Sequence, residues 1–164
     1  MIVVIQRAKS GKVLIENKVY SQINKGYVIL VGFCQEDNEN IVSKMAEKIA
    51  NLRIMTDKNG KMNLNLSQVS GEILLVSQFT LCADTSQRRP SFIKALKEEE
   101  AKKLYQILIK KLQEKNLVVK TGSFGNYMTV KIINDGPVTI ILDLSLIHIS
   151  EPTRLLSISY AVFC

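Results

Sequence analysis

Short runs of β-branched and aromatic residues recur along the chain, bounded by Gly, Lys, Asn and Asp, and this pattern predicts β-strands. In the N-terminal part the runs lie at 2–5, 13–15, 19–23 and 27–33. Farther along they lie at 73–76, 118–120, 128–133 and 138–142. The chain is therefore expected to build its core mainly from strands.

Two segments show the three- and four-residue apolar spacing of amphipathic helices instead. The first begins at Asn38, a residue type that caps helix N-termini, and continues to about position 53. The second covers 97–115 and has three glutamates in its first turn and two lysines in its last, which complements the helix dipole. Two helices among roughly eight strands, without regular alternation, predict an α+β fold.

The composition changes abruptly after Asp143. Residues 144–164 carry the only histidine, His148, and the third cysteine, Cys164. This segment resembles the translation of adapter DNA used in sequencing libraries, so we expect a non-native, disordered tail without a functional role. A natural C-terminal extension is the alternative. Residues 1–143 are then expected to form a single domain.

Residues 1–143 hold 21 basic and 14 acidic residues, so the formal net charge remains +7 without the tail. A basic surplus favours an anionic partner such as RNA, although it also serves solubility. Cys34 and Cys82 form no C-x-x-C motif, which predicts inert, unpaired thiols in a reduced, cytoplasmic protein. The sequence contains no signal peptide and no apolar run long enough for a bilayer, so we expect neither secretion nor membrane insertion.

The missing residue types restrict the chemistry further. Because residues 1–143 contain no histidine, Ser-His-Asp and Cys-His triads and histidine-based metal sites are excluded there. Two cysteines are too few for structural zinc. The acidic residues lie mainly on helix faces and turns, with no evident pair for acid–base work. A hydrolytic mechanism would need another base.

Two polar segments follow apolar runs and are the candidate sites. A strand over 73–76 would deliver Ser77, Gln78 and Thr80 to its carboxyl end, where they could line a small pocket or simply close the strand. Gly136-Pro137 lies between two strand-forming runs, and Asp135 with Gly136 is also a hairpin signal.

Several segments, which occur in the same order along the chain, resemble those of the D-aminoacyl-tRNA deacylase family. Its members are homodimeric enzymes that hydrolyse the ester joining a D-amino acid, or glycine, to tRNA. The resemblance covers residues 1–143 and implies a three-layer β/β/α fold and a homodimer. It rests on Ile5-Gln6-Arg7, Ala50-Asn51-Leu52-Arg53, Gly60-Lys61-Met62-Asn63-Leu64, Ser77-Gln78-Phe79-Thr80, Arg89-Pro90-Ser91-Phe92, Thr121-Gly122-Ser123-Phe124-Gly125 and Asn134-Asp135-Gly136-Pro137-Val138-Thr139.

The resemblance assigns roles to the second candidate segment. It implies that Gly136 and Pro137 are joined by a cis bond and enter the active site of the partner subunit. Their carbonyl groups would capture the substrate's α-amino group and leave no room for an L side chain, so selectivity would be steric rejection. Arg7 would support this pair from behind.

The resemblance also implies that Ser77, Gln78, Phe79 and Thr80 hold the terminal adenosine and the scissile ester. Backbone N–H groups near Phe79 and Thr80 would stabilise the oxyanion. The ribose 2′-hydroxyl would help to activate water, without metal or organic cofactor. Thr80 is interpreted as a positioning residue, because a hydroxyl without a neighbouring base is a poor nucleophile.

One segment departs from many relatives, and three alternatives stay open. The loop at 86–88 is short where relatives carry a longer, glycine-containing basic loop, which weakens the expected tRNA contact of Arg88 and Arg89. A related deacylase of mischarged L-alanyl-tRNA is disfavoured by Ser77 and Phe79, and a generic esterase by the missing triad. A non-catalytic tRNA-binding or editing module remains. The expected partners are aminoacyl-tRNA and a second subunit, with no membrane and no DNA.

Overall fold

The computed structural model describes residues 1–144, which contain eight strands and two α-helices and confirm the predicted α+β class. The strands are β1 (Ile2–Ile15), β2 (Lys18–Ile23), β3 (Gly26–Gly32), β4 (Met55–Thr56), β5 (Met62–Leu64), β6 (Glu72–Ser77), β7 (Val118–Thr121) and β8 (Thr129–Asp143). The helices are α1 (Glu39–Asn51) and α2 (Glu98–Gln113). The interpretation of 145–164 as a non-native tail lies outside the described residues. Leu144 is buried, and its N–H donates to the carbonyl of Met1 at 3.1 Å.

Six strands form one mixed sheet. Strand β1 pairs antiparallel with β2, β3 and β8, whereas β3–β6 and β6–β7 are parallel pairs. Strands β4 and β5 form a separate antiparallel pair. Because β3 and β6 run in the same direction, the residues that follow them meet at one edge of the sheet. That edge carries the candidate site.

Two strand boundaries expected from the sequence are wrong. The runs 2–5 and 13–15 belong to one strand, β1, and the runs 128–133 and 138–142 belong to one strand, β8. These two strands pair from Ile2 opposite Asp143 to Leu14 opposite Thr129, with register shifts between Gln6 and Ser10. The hairpin interpretation of Asp135-Gly136 is therefore also wrong, because both halves of β8 pair with β1. The irregular register lets a polar stretch continue a strand where a turn was expected.

Alternate residues of the central strands face two different apolar clusters, as the period of a strand requires. The larger cluster joins one face of the sheet to α1 and α2 and includes Tyr27, Ile29, Ile73 and Leu75. The smaller cluster lies on the other face, among β1, β2, β3 and β6, with β8 packed against it, and includes Ala8, Val13, Val28 and Leu74. One face of the sheet thus packs against the helical layer, and the other face carries the second apolar cluster.

Helix α1 begins where the sequence predicts. The Asn38 side chain accepts hydrogen bonds from the backbone N–H groups of Asn40 and Ile41, at 3.0 and 3.2 Å. Helix α2 is tied to the sheet by Tyr105, whose buried hydroxyl donates to the carbonyl of Leu75 at 2.7 Å. This bond fixes the middle of α2 against β6, two residues before Ser77.

The expectation of two unpaired thiols is wrong, because Cys34 and Cys82 form a disulfide with Cα atoms 5.8 Å apart. Cys34 follows β3, and Cys82 ends the turn that follows β6. Parallel strands bring these positions together although 48 residues separate them in sequence. The disulfide therefore links the segments that follow β3 and β6, at the sheet edge that carries the candidate site.

Replacing Cys34 by Ser should lower the free energy of unfolding by about 2–4 kcal/mol in the absence of reductant, because the unfolded chain loses a loop constraint. Denaturant titration measures the difference. In dithiothreitol the parent and the variant should converge, since neither then carries the bond. Equal stabilities without reductant would contradict the pairing.

Candidate functional site

The chain turns sharply at the carboxyl end of β6. Ser77 is the last residue of the strand, and the N–H of Gln78 still donates to the Val31 carbonyl of β3 at 2.7 Å. A 3₁₀ turn over Phe79–Cys82 follows immediately. The predicted polar segment thus lies at the strand end, as the apolar run before it indicates.

The 3₁₀ turn leaves two backbone donors without a partner in the turn. Its first internal bond runs from the Leu81 N–H to the Gln78 carbonyl at 3.2 Å. Because each bond in such a turn spans three residues, the N–H groups of Phe79 and Thr80 precede the first acceptor available to them there. Two adjacent N–H groups beside a polar pocket form a donor pair for an oxygen that gains negative charge.

A cavity of about 720 Å³ opens beside this turn, within the size range of small-molecule sites. Its walls come from the ends of β3 and β6, the first residues of α2, and the loop between β7 and β8. Most of the lining is apolar, and the polar side chains are few. The lining includes Val31, Phe33, Val76, Ser77, Gln78, Phe79, Leu96, Glu98, Ala101, Phe124, Asn126, Tyr127 and Met128.

The Thr80 hydroxyl is oriented by its neighbour. The Gln78 side-chain amide Nε2 donates a hydrogen bond to Thr80 Oγ1. Since the hydroxyl oxygen accepts this bond, its own hydrogen is left to donate elsewhere. Thr80 is exposed and does not itself line the cavity, whereas Gln78 does. The geometry suits a hydroxyl that donates to a bound oxygen better than one that attacks.

Two buried tyrosines are neutral donors and not bases. Burial raises the pKa of Tyr105, whose hydroxyl donates to Leu75. Burial also raises the pKa of Tyr27 to about 12, although the nearby Arg7 charge acts in the opposite direction. The Tyr27 hydroxyl donates to the carbonyl of Leu52 at 3.3 Å. Neither group accepts a proton at neutral pH.

Arg7 holds the second candidate segment. The side chain is buried, and its Nε lies 3.1 Å from the Asp135 carbonyl oxygen and 3.2 Å from Asp135 Oδ2. Its Nη1 donates to the Ile54 carbonyl at 2.8 Å and to Thr56 Oγ1 at 3.0 Å. The guanidinium therefore connects β8 to the segment that contains β4. Its contact in β8 is with Asp135, the residue directly before Gly136.

Gly136 and Pro137 lie exposed within β8, and the peptide bond between them is cis. Gly136 has φ +127°, a region that L side chains rarely adopt. Neither residue lines the cavity beside Ser77, and Arg7 does not line it either. Within the part of one chain that the structure describes, the two candidate segments are thus separate surfaces.

Arg88 and Arg89 are exposed on a loop closed by paired backbones at Asp84 and Ser91. Lys94 Nζ lies 2.9 Å from Asp84 Oδ2, and this contact holds the pKa of the Asp84 carboxyl well below its usual range. Neither arginine lines the cavity. The structure therefore places them on the surface, apart from the pocket.

Two residues that line the cavity are not indicated by the sequence. The sequence predicts Glu98 only as a first-turn charge of α2, but the side chain lines the cavity, and a Cβ added to Gly125 would lie 2.9 Å from its Oε1. Tyr127 also lines the cavity, although the sequence pattern assigns it no role. The available signal was the glycine-containing segment 121–125, whose place beside the pocket depends on the β6–β7 pairing.

Residues 1–144 contain no group of three or more His, Cys, Asp or Glu side chains placed to hold a metal ion. No helix in this range is long and apolar enough to cross a bilayer.

Comparison with known proteins identifies close relatives. A family model described as D-Tyr-tRNA(Tyr) deacylase matches residues 4–143. A D-aminoacyl-tRNA deacylase of Thermoanaerobacter sp. (strain X514) is 50% identical over 144 residues, which cover 87% of this chain and 97% of the relative. A protein of the same name from Clostridioides difficile (strain 630) is 47% identical over 146 residues, covering 88% and 98%.

Two solved structures share the fold. One, described as a c-Myc DNA Unwinding Element Binding Protein, has a TM-score of 0.82 and 37% identity, covering 87% of this chain and 98% of its own. The other, described as a probable eukaryotic D-amino acid tRNA deacylase, has a TM-score of 0.76 and the same coverage. At 16% identity, the second supports the fold alone.

Proposed function

The chain belongs to the D-Tyr-tRNA(Tyr) deacylase family, and on that premise we propose that it hydrolyses the ester bond of D-aminoacyl-tRNA. Glycine mischarged on alanine tRNA is a second substrate in this proposal, and the products are free amino acid and tRNA. The observation that carries it is a pair of backbone N–H groups, at Phe79 and Thr80, that have no hydrogen-bond partner among residues 1–144 and lie in the turn beside the cavity. The enzyme would act in the cytoplasm, where aminoacyl-tRNA is used.

Catalysis in this proposal begins with the ester carbonyl beside the 3₁₀ turn. Water attacks the carbonyl carbon, and the N–H groups of Phe79 and Thr80 stabilise the oxyanion, each contributing roughly 3–4 kcal/mol in comparable sites. The ribose 2′-hydroxyl next to the ester assists the removal of the water proton. Ser77 and Gln78 line the pocket and position the adenosine. No metal or organic cofactor takes part.

Chiral selection in this proposal requires a second subunit. Gly136 and Pro137 are exposed and lie outside the cavity of their own chain, so they are free to enter the cavity of a partner. Ile133 and Ile141 of the same strand are exposed apolar side chains, which a homodimer would cover. The carbonyls of Gly136 and Pro137 would accept hydrogen bonds from the α-amino group and exclude an L side chain.

Arg88 and Arg89, with the basic surplus, would favour the approach of tRNA.

Single-turnover hydrolysis of D-tyrosyl-tRNA and L-tyrosyl-tRNA by the purified protein tests this function. We expect rapid loss of the D ester and retention of the L ester. Thr80→Ala should slow hydrolysis of the D ester about tenfold, because the transition state loses one hydrogen bond. Thr85→Ala is the matched control, because Thr85 is equally exposed but lies beyond the 3₁₀ turn Phe79–Cys82 that carries Thr80.

Other outcomes would favour the alternatives. Hydrolysis of L-alanyl-tRNA in preference to the D ester would indicate the related L-alanyl deacylase. A folded protein that binds tRNA but hydrolyses neither ester would be a non-catalytic tRNA-binding module. Each result would replace the proposed function.

A further inference from the structure

Tyr127 is the most exposed large hydrophobic side chain of residues 1–144, at 96% of its full accessible area, yet it lines the mouth of the cavity. It lies in the loop between β7 and β8. An aromatic ring in water contributes nothing to the core, so its place at the pocket suggests a contact with a ligand.

The residues directly before Tyr127 hold its loop in place. The Phe124 ring packs against Tyr105 with centroids 5.3 Å apart. The Asn126 side chain donates to Ser123 Oγ at 2.6 Å, and Gly125 adopts φ +76° under the Glu98 carboxylate. The neighbouring side chains thus fix the turn, while the Tyr127 ring projects from it. A ring presented in this way keeps both faces accessible.

The other exposed aromatic at the cavity is already engaged. Phe79 also lines the pocket, but its ring meets Phe92 edge to face with centroids 5.1 Å apart. Tyr20 is half exposed and does not line the cavity. Among residues 1–144, Tyr127 is therefore the exposed aromatic side chain at the mouth that packs against no other ring.

We propose that Tyr127 is a stacking platform for the base of the penultimate nucleotide at the tRNA 3′ end, an inference that rests on the proposed function. The terminal adenosine would occupy the cavity, and the preceding nucleotide, joined through its phosphate, must leave by the mouth. Proteins hold single-stranded nucleotides by stacking unpaired bases on aromatic rings, with little dependence on the base. The phenol hydroxyl would stay in water.

A series of substrates of increasing length tests the proposal: D-tyrosyl-adenosine, D-tyrosyl-cytidylyl-adenosine and D-tyrosyl-tRNA. For the parent protein, addition of the cytidine should lower KM about tenfold with little change in kcat, as one stacked base provides. Tyr127→Ala should abolish this gain and leave hydrolysis of D-tyrosyl-adenosine unchanged. Tyr127→Phe should keep the gain, since it retains the ring.

Two results would overturn the stacking role. One is a Tyr127→Ala protein that loses as much activity on D-tyrosyl-adenosine as on D-tyrosyl-cytidylyl-adenosine. This would place Tyr127 in the pocket of the terminal adenosine. The other is an unchanged gain in Tyr127→Ala. If the parent protein hydrolyses none of the three esters, the proposed function fails. The affinities of uncharged cytidylyl-adenosine and adenosine for the parent and Tyr127→Ala then decide whether the ring stacks.

Discussion

Replacing Gly136 by Ala should lower kcat for D-aminoacyl-tRNA about a hundredfold, the scale of a small misplacement in a positioned site. At φ +127° an added Cβ would lie 2.8 Å from Val138 Cγ2, 2.9 Å from the Val138 backbone nitrogen and 3.3 Å from Arg7 Nη2. The backbone nitrogen cannot move aside without shifting the strand. The methyl group would therefore displace the carbonyls proposed to hold the α-amino group, and single-turnover hydrolysis of D-tyrosyl-tRNA measures the effect.

Gly60→Ala is the matched control for this experiment. Gly60 also has a left-handed backbone, with φ +78°, but a Cβ there would meet no atom within 4 Å. Both variants carry the conformational cost of a side chain at positive φ, about 1–2 kcal/mol, and only Gly136→Ala should lose turnover. A folded Gly136→Ala protein with the kcat of the parent would remove Gly136 from the proposed mechanism.

The sequence predicts those parts of the structure that depend on neighbouring residues. Asn38 caps α1 because its side chain reaches N–H groups two and three residues away. The change from apolar to polar residues after Val76 places Ser77 at a strand end, since strands buried on both faces consist mainly of apolar side chains. In both cases the deciding interactions are local, so the pattern along the chain contains them.

The parts that sequence reasoning missed depend on strand order. The Cys34–Cys82 pair, and the place of Glu98 and Tyr127 in the cavity lining, depend on β3, β6 and β7 lying side by side in parallel. No spacing along the chain encodes that arrangement. The long pairing of β1 with β8 was missed for the same reason, because residues that look like a turn are held extended by a distant strand.

The separation of the two candidate segments has a mechanistic consequence. Ser77 and Gln78 line the cavity, but Gly136 and Pro137 of the same chain do not. If Gly136 and Pro137 select substrates in the cavity of the partner subunit, rejection of L substrates requires the dimer. Residues that only support Gly136, without touching substrate, should then affect chirality and turnover together.

Arg7 is the residue most suited to test this, and Arg7→Met should reduce both turnover and stability. The substitution keeps an apolar stem but removes the contacts with Asp135, Ile54 and Thr56. Because Asp135 is partly exposed, we expect a loss of about 2–3 kcal/mol in the free energy of unfolding, below the cost of breaking a fully buried pair. Turnover should fall about tenfold or more, since Gly136 loses its anchor.

Arg53→Met provides the comparison that isolates position from charge. Arg53 is exposed and hydrogen bonds only to Asn63 among the described residues, so its loss should cost less than about 1 kcal/mol and leave turnover unchanged. Arg7→Lys then separates charge from geometry, because an ammonium cannot reproduce the bonds of the guanidinium to several acceptors at once. Compared with Arg7→Met, we expect Arg7→Lys to retain more of the stability of the parent protein but little more of its turnover. Full recovery of turnover would mean that charge alone, and not the hold on Asp135, supports the site.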